Sequence, residues 1–232
     1  MSGKLEDSII RDCIDHCSSN ELVVVPSGIG DVGLSDYFSE KSKALMTQRN
    51  LATPPERCGL ALRFPEPNQG QSEIDEFFES PRAFSHNRPF LGCFMIDITS
   101  YRNNPEHSYF QQLKTFMSDN SDDMVFVLVL EADNISDVNR IRRSISTAGV
   151  FRTVSLKKPS PERIAAYIDE SLGRKASEPE DVLSFFGAHP DFRIADNFIE
   201  YTRRVLTGSR RKAFASFRKE FESYNSYKNL GY

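Results

Sequence analysis

Short apolar segments, each followed by a stretch with helical periodicity, constrain this chain more than any other feature. Leu22–Val25 and Met124–Leu130 are the clearest, and Gly59–Phe64, Phe90–Ile98 and Phe151–Leu156 join them. A strand with one wet face alternates polar and apolar residues, whereas a strand apolar throughout must be covered on both faces. The intervening segments Leu5–Cys17, Ser35–Arg49, Ser72–Glu79, Ser108–Met117 and Ile135–Ser146 read as helices, with Pro65–Gly70 a turn-rich loop. In the first of them, Ile9, Ile10, Cys13, Ile14 and Cys17 recur at helical spacing and are expected on one inner face. The expected architecture is α/β, a parallel five-stranded sheet with flanking helices.

Beyond Pro159 only helical patterns remain. Pro161 stands near a helix start followed by Ile164, Tyr167, Ile168 and Leu172, and Pro179 begins a second helix that should end before Gly187. Pro190 opens a third, with Phe192, Ala195, Phe198, Ile199 and Val205 inward and Gly208 closing it. The fourth spans about Ser209–Tyr224, and Phe214, Phe217, Phe221 and Tyr224 share one of its faces. Residues 1–158 are therefore expected to form the α/β domain, and residues 159–232 a small four-helix subdomain with a basic last helix.

At 232 residues, 39% of them hydrophobic, the chain can bury one such core and a smaller appendage. No apolar run approaches the roughly 20 residues of a membrane span, and the opening MSGKLEDS does not read as a secretory signal. A cytoplasmic location without membrane contact is expected. The four cysteines, Cys13, Cys17, Cys58 and Cys93, then read as free thiols. Cys13, His16 and Cys17 would need a fourth ligand from elsewhere and read as core residues, so no metal is expected. His86, His107 and His189 sit beside expected loops, and neither a G-x-S-x-G elbow nor an H-E-x-x-H motif occurs. Hydrolases of those classes have no support.

The net charge of −4 hides an asymmetry. Arg203, Arg204, Arg210, Arg211, Lys212, Arg218 and Lys219 fall between Tyr201 and Lys219 without one acid, leaving 22 bases against 33 acids elsewhere. The candidate nucleic-acid contacts are Arg210, Arg211, Lys212, Arg218 and Lys219, which could meet phosphates through counterion release or complement an acidic protein surface.

The first apolar segment leads into Pro26-Ser27-Gly28-Ile29-Gly30-Asp31-Val32 and then a helix. A glycine-rich loop between strand and helix can hold phosphate on converging backbone amides. These residues resemble the Walker A loop of the AAA+ ATPases, G-P-[PS]-G-[TI]-G-K-[ST], with two departures. Asp31 stands where the family has the lysine that reaches the β- and γ-phosphates, and Val32 where it has the magnesium-binding hydroxyl. At about 4 Å and an effective dielectric of 20, each unit charge beside the phosphates is worth on the order of 4 kcal/mol. A carboxylate there works against triphosphate binding.

The order of further segments extends the resemblance from about Leu5 to Tyr224. Phe94-Met95-Ile96-Asp97 is similar to a Walker B strand, with Ile98 in place of the glutamate that polarises water. Glu131, Asp133 and Asn134 follow the strand that would carry sensor 1. Arg142 and Arg143 stand where clamp loaders carry an arginine finger, though the Ser-Arg-Cys triplet is absent. Pro190-Asp191-Phe192-Arg193 resembles the sensor 2 motif, with Arg193 its arginine. Together these resemble a degenerate AAA+ module of the clamp-loader type, like the delta-prime-type subunits of DNA polymerase III.

The resemblance implies a P-loop NTPase-like sheet followed by a helical lid. Pro26, Ser27, Gly28, Ile29, Gly30, Asp31, Val32, Asp97 and Arg193 would form a vestigial nucleotide site, without catalytic residues and without a cofactor. The function it implies is a noncatalytic interaction or scaffold subunit, assembled with homologous or active AAA+ subunits and associated with DNA. Two alternatives stand beside it: a protein that binds ATP and magnesium with a partner's cation, and a nucleic-acid-binding module that uses the basic last helix.

Overall fold

The computed structural model describes residues 4–49, 59–85, 92–122, 124–173, 179–204 and 210–229. By its internal contacts the chain divides into two compact units. One comprises Leu5–Gly28 and Leu34–Lys157, and the other holds the described residues of Met1–Lys4, Ile29–Gly33 and Lys158–Tyr232. Two short segments that the sequence places with the strands, one of them the second half of the glycine-rich loop, thus belong with the helices.

The first unit is built on a five-stranded parallel sheet of β1 (Glu21–Val25), β2 (Gly59–Arg63), β3 (Cys93–Asp97), β4 (Val125–Glu131) and β5 (Arg152–Ser155), in the order β2-β3-β4-β1-β5. Helix α1 (Asp7–Asp15) precedes β1, and α2 (Leu34–Gln48), α3 (Gln71–Ser85), α4 (Ser108–Asp119) and α5 (Ile135–Ile145) occur between the strands in sequence, with a 3-10 turn at Thr99–Tyr101. Inner strand β1 is buried at every residue and central β4 at all but its last. Edge strands β2 and β5, each paired on one side among the described strands, have no buried residue. A core cluster of the unit joins Leu22 and Val24 to Phe94, Phe110, Phe126 and Ile141, and Val23, Tyr37 and Leu45 are buried apart from it.

Several boundaries differ from those expected. Helix α3 continues past Glu79 through Pro81, which removes one ladder hydrogen bond without ending a helix anchored by buried Ile74 and Phe77. Ile14 is 46% exposed and so leaves the inner face of α1, which is narrower than the apolar pattern suggests. β3 begins at Cys93, and Phe90 and Leu91 lie outside the described residues. The register Val25↔Glu131 sets the carboxyl ends of β1 and β4 side by side, and the loop that leaves β1 starts there.

The second unit contains α6 (Pro161–Ser171), α7 (Pro179–Ala188), α8 (Phe192–Arg204) and α9 (Arg210–Asn229). Ser160 caps α6 through its hydroxyl, and Pro161 supplies the fixed φ of a first helical residue. Helix α7 runs through Gly187, since burial of Phe185 and Phe186 outweighs the weak helix preference of one glycine. Ile164, Ile168, Phe186, Phe192, Ala195, Phe198, Phe214 and Phe217 form its core. Phe198 stands edge-on to Phe214 at 5.3 Å, one of several perpendicular ring pairs that fill the unit. Val205 and the Tyr224 side chain lie outside the described residues, while α9 itself extends beyond the expected end at Tyr224. Among the described residues no helix is long and apolar enough to cross a membrane.

Candidate functional site

The loop after β1 runs from Pro26 to Gly33, with Gly28 at φ +72° and Gly33 at φ +85°. In the sheet unit, the Ser27 amide donates to Asp133 Oδ1 at 3.0 Å, so a carboxylate from the end of β4 takes that loop N–H. In the helical unit, the Asp31 amide donates to Asp191 Oδ1 at 3.0 Å, and the Phe192 amide donates back to the Asp31 carbonyl at 3.1 Å. Asp191 also accepts the Arg193 amide at 2.8 Å, the usual act of a residue capping a helix N-terminus. The same carboxylate therefore caps α8 and the loop.

Gly30 is needed for this approach. A Cβ there would stand 2.5 Å from both an Arg193 guanidinium nitrogen and Asp191 Oδ2. Arg193 reaches Asp191 Oδ2 at 3.2 Å, with 70% of its own side chain exposed. Asp31 Oδ1 accepts the Gly33 amide at 2.7 Å, and its Oδ2 accepts Lys4 Nζ at 2.6 Å. Lys4 also donates to Asp196 Oδ2 at 2.8 Å, and Asp196 Oδ1 accepts the Tyr167 hydroxyl at 2.5 Å. Burial works to lower the Lys4 pKa, but the hydrogen bonds and charges of Asp196 and Asp31 outweigh it and hold the pKa above the ordinary lysine value. Burial, followed by the Asp196 contact, pushes the Tyr167 phenol up to about 12.

No protein-family model matches the chain, and no curated protein matches its sequence. Solved structures do match. Domain III of the replication initiation protein DnaA from Thermotoga maritima superposes with a TM-score of 0.54 at 12% identity, over 92% of this chain and 90% of that one. The Aeropyrum pernix ORC2 protein, solved in ADPNP-ADP complexes, gives 0.57 at 11% identity over 90% of this chain and 67% of that one. Thermotoga maritima RuvB gives 0.51 at 13% identity over 86% of this chain and 61% of that one. The chain has the AAA+ P-loop NTPase fold.

The other residues expected at the site are placed as follows. Asp97 ends β3 exposed and accepts the Thr99 amide at 2.9 Å, capping its own turn. Ile98, the residue expected in place of a water-polarising glutamate, is fully buried. Asn134 is the N-cap of α5 through the Asp137 amide at 2.8 Å, and Glu131 closes β4 with its amide on Thr99 Oγ1 at 3.0 Å. Arg142 and Arg143 are exposed on α5 and line a shallow depression of about 400 Å³ with Asn139 and Ser146.

On α9, Arg218 pairs with Glu222 at 2.7 Å and Lys219 is exposed, while the side chains of Arg210, Arg211 and Lys212 lie outside the described residues. Cys13 is buried with its thiol on the Tyr37 carbonyl at 3.7 Å, and Cys17 donates to Gln48 at 3.3 Å. Among the described residues no cluster of His, Cys, Asp and Glu could hold a metal. His107 caps α4 and His189 packs against Phe185 and Phe221, while His86 and Cys58 lie outside the described residues.

Sequence reasoning overlooked Lys4 and Asp196, as well as the use of Asp191 as a second cap. A lysine near the start of a chain and an aspartate in mid-helix carry no local signal.

Proposed function

We propose that this chain is a noncatalytic member of an AAA+-type assembly, an interaction or scaffold subunit of the clamp-loader kind whose phosphate loop is closed on its own carboxylates. The observation that carries the reading is the capture of the loop's donors. Ser27 N–H is taken by Asp133 in one unit, and Asp31 N–H and Gly33 N–H by Asp191 and Asp31 in the other. A P-loop seats phosphate oxygens on amides of this stretch. A triphosphate would have to displace Asp191, whose side chain is only 10% exposed, and meet Asp31 where an ATPase offers a cation.

The position and packing of Ile98 agree with this, since an alkyl group in the core polarises no water. Loss of hydrolysis leaves the fold as a surface for assembly, with exposed Arg142 and Arg143 available to an active neighbour. One fold neighbour, the replication initiation protein DnaA, favours placing that assembly in replication, and the seven-base stretch ending at Lys219 suits a polyanionic partner. Isothermal titration with ATP and magnesium tests the central claim. The unaltered chain should give no saturable heat, and micromolar binding would overturn the reading.

A further inference from the structure

Lys4 does more than neutralise Asp31. Its side chain is 13% exposed, and its ammonium lies 2.6 Å from Asp31 Oδ2 and 2.8 Å from Asp196 Oδ2 and stands 5.7 and 5.9 Å from the ring centres of Tyr167 and Phe192. Two carboxylates and two aromatic faces around one nitrogen make a cation site by ion pairing and cation–π attraction together.

The walls are held by groups other than Lys4. Asp31 Oδ1 is fixed by the Gly33 amide, and Asp196 Oδ1 by the Tyr167 hydroxyl, so each carboxylate keeps one oxygen for the ammonium. Tyr167 and Phe192 brace each other edge to face at 5.3 Å, and Phe192 is 1% exposed. Asp191, which accepts the Asp31 amide, is paired with Arg193. A cage supported in this way persists when its occupant leaves, carrying two unbalanced negative charges in a partly desolvated place.

We propose that the helical unit carries an ammonium-binding cage, formed by Asp31, Asp196, Tyr167 and Phe192, which takes a primary alkylammonium of the lysine type and is filled here by the chain's own Lys4. The proposal deepens the reading above, because it assigns to position 31 a cation in place of the phosphate that an AAA+ loop would hold. Selectivity follows from the hydrogen bonds. Both carboxylates accept N–H groups, so a quaternary ammonium, which has none, satisfies the rings and leaves the oxygens unpaired.

Chemical rescue tests it. Lys4→Ala should melt several degrees below the unaltered chain, and butylammonium chloride should raise its Tm saturably, by about 3–5 °C at ten times the dissociation constant. The unaltered chain should not respond, nor should K4A to tetramethylammonium or sodium chloride at the same ionic strength, and D196N in the K4A background should abolish the rescue. If K4A does not fold, K4M keeps the apolar stem and carries the same titration. An equal response of K4A and the unaltered chain, or of K4A to butylammonium and tetramethylammonium, would sink the cage, as would a Tm raised by inorganic phosphate instead. ATP binding by the unaltered chain would strike the noncatalytic reading alone, so the two failures are distinguishable.

Discussion

Each unit contains a lysine drawn out of water by carboxylates, and the two sites solve different problems. In the sheet unit Lys41 meets Glu21 at 3.1 Å with neither side chain exposed at all. Glu21 also accepts the Tyr37 hydroxyl at 2.8 Å and Arg152 Nε at 3.3 Å, while Lys41 donates to the His16 carbonyl at 2.9 Å. Every member of that network is anchored in a strand, a helix or a turn of one core. In the helical unit Lys4 serves Asp31 and Asp196, which are 23% and 41% exposed. One lysine is sealed inside a completed network, whereas the other rests at a partly open place whose walls stand without it. Burial alone therefore does not distinguish a structural ion pair from a binding site; the separate support of the walls does.

Breaking the sealed site should have the largest effect. Lys41→Met leaves Glu21 buried beside Tyr37 and Arg152 without its ammonium, and the expected loss is about 3–5 kcal/mol. K41M/E21Q should cost less than K41M alone, because the underpaired carboxylate goes with it, and urea unfolding of K41M, E21Q and K41M/E21Q beside the unaltered chain closes the double-mutant cycle. A K41M loss under about 1 kcal/mol would show that water reaches Glu21 and would erase the contrast.

The open site should give less, about 1–2 kcal/mol for K4M after allowance for its exposed carboxylates. Its pH dependence identifies the source. The folded pKa of Lys4 is raised above the ordinary 10.5, so its contribution is fully present below that value and is lost as pH rises through the folded pKa. The gap between the unaltered chain and K4M should be flat from about pH 7 to 9 and narrow in strong alkali. A gap that persists there would assign the loss to packing of the lysine stem.

The difference between the two sites also marks where sequence reasoning reached its limit. The sheet was legible because Leu22–Val25 and Met124–Leu130 are apolar throughout, and burial on both faces leaves few arrangements besides a covered parallel sheet. The glycine-rich loop was legible by its place between strand and helix. What closes that loop was hidden. Lys4 lies 27 residues from Asp31 and 192 from Asp196, Asp191 is 160 from the amide it accepts, and Asp133 is 106 from Ser27. Pairings over such separations are set by the completed fold and leave no periodicity or spacing behind. Glu21 was hidden for a related reason, since a charged residue at the start of an apolar strand reads as its wet end until Lys41, Tyr37 and Arg152 arrive from elsewhere.

The smallest effect lies at the rim of the sealed network, where it begins to resemble the open one. Asp12 binds Arg152 through both oxygens, with Nη1 at 2.7 Å from Oδ1, and is 46% exposed. The Arg152 hydrogen bonds hold the Asp12 carboxyl below its ordinary pKa of 3.8. Because the folded value is the lower one, the stabilisation is present above the ordinary pKa and is lost as pH falls through the folded value. With solvent screening allowed for, D12N should cost about 0.5–1 kcal/mol near neutral pH. Urea midpoints should converge as the pH approaches 2, and 1 M salt should shrink the neutral-pH difference as well. A difference indifferent to both would mean that Asp12 matters through the position it gives Arg152 over Glu21, which would move it from the screened rim into the sealed interior.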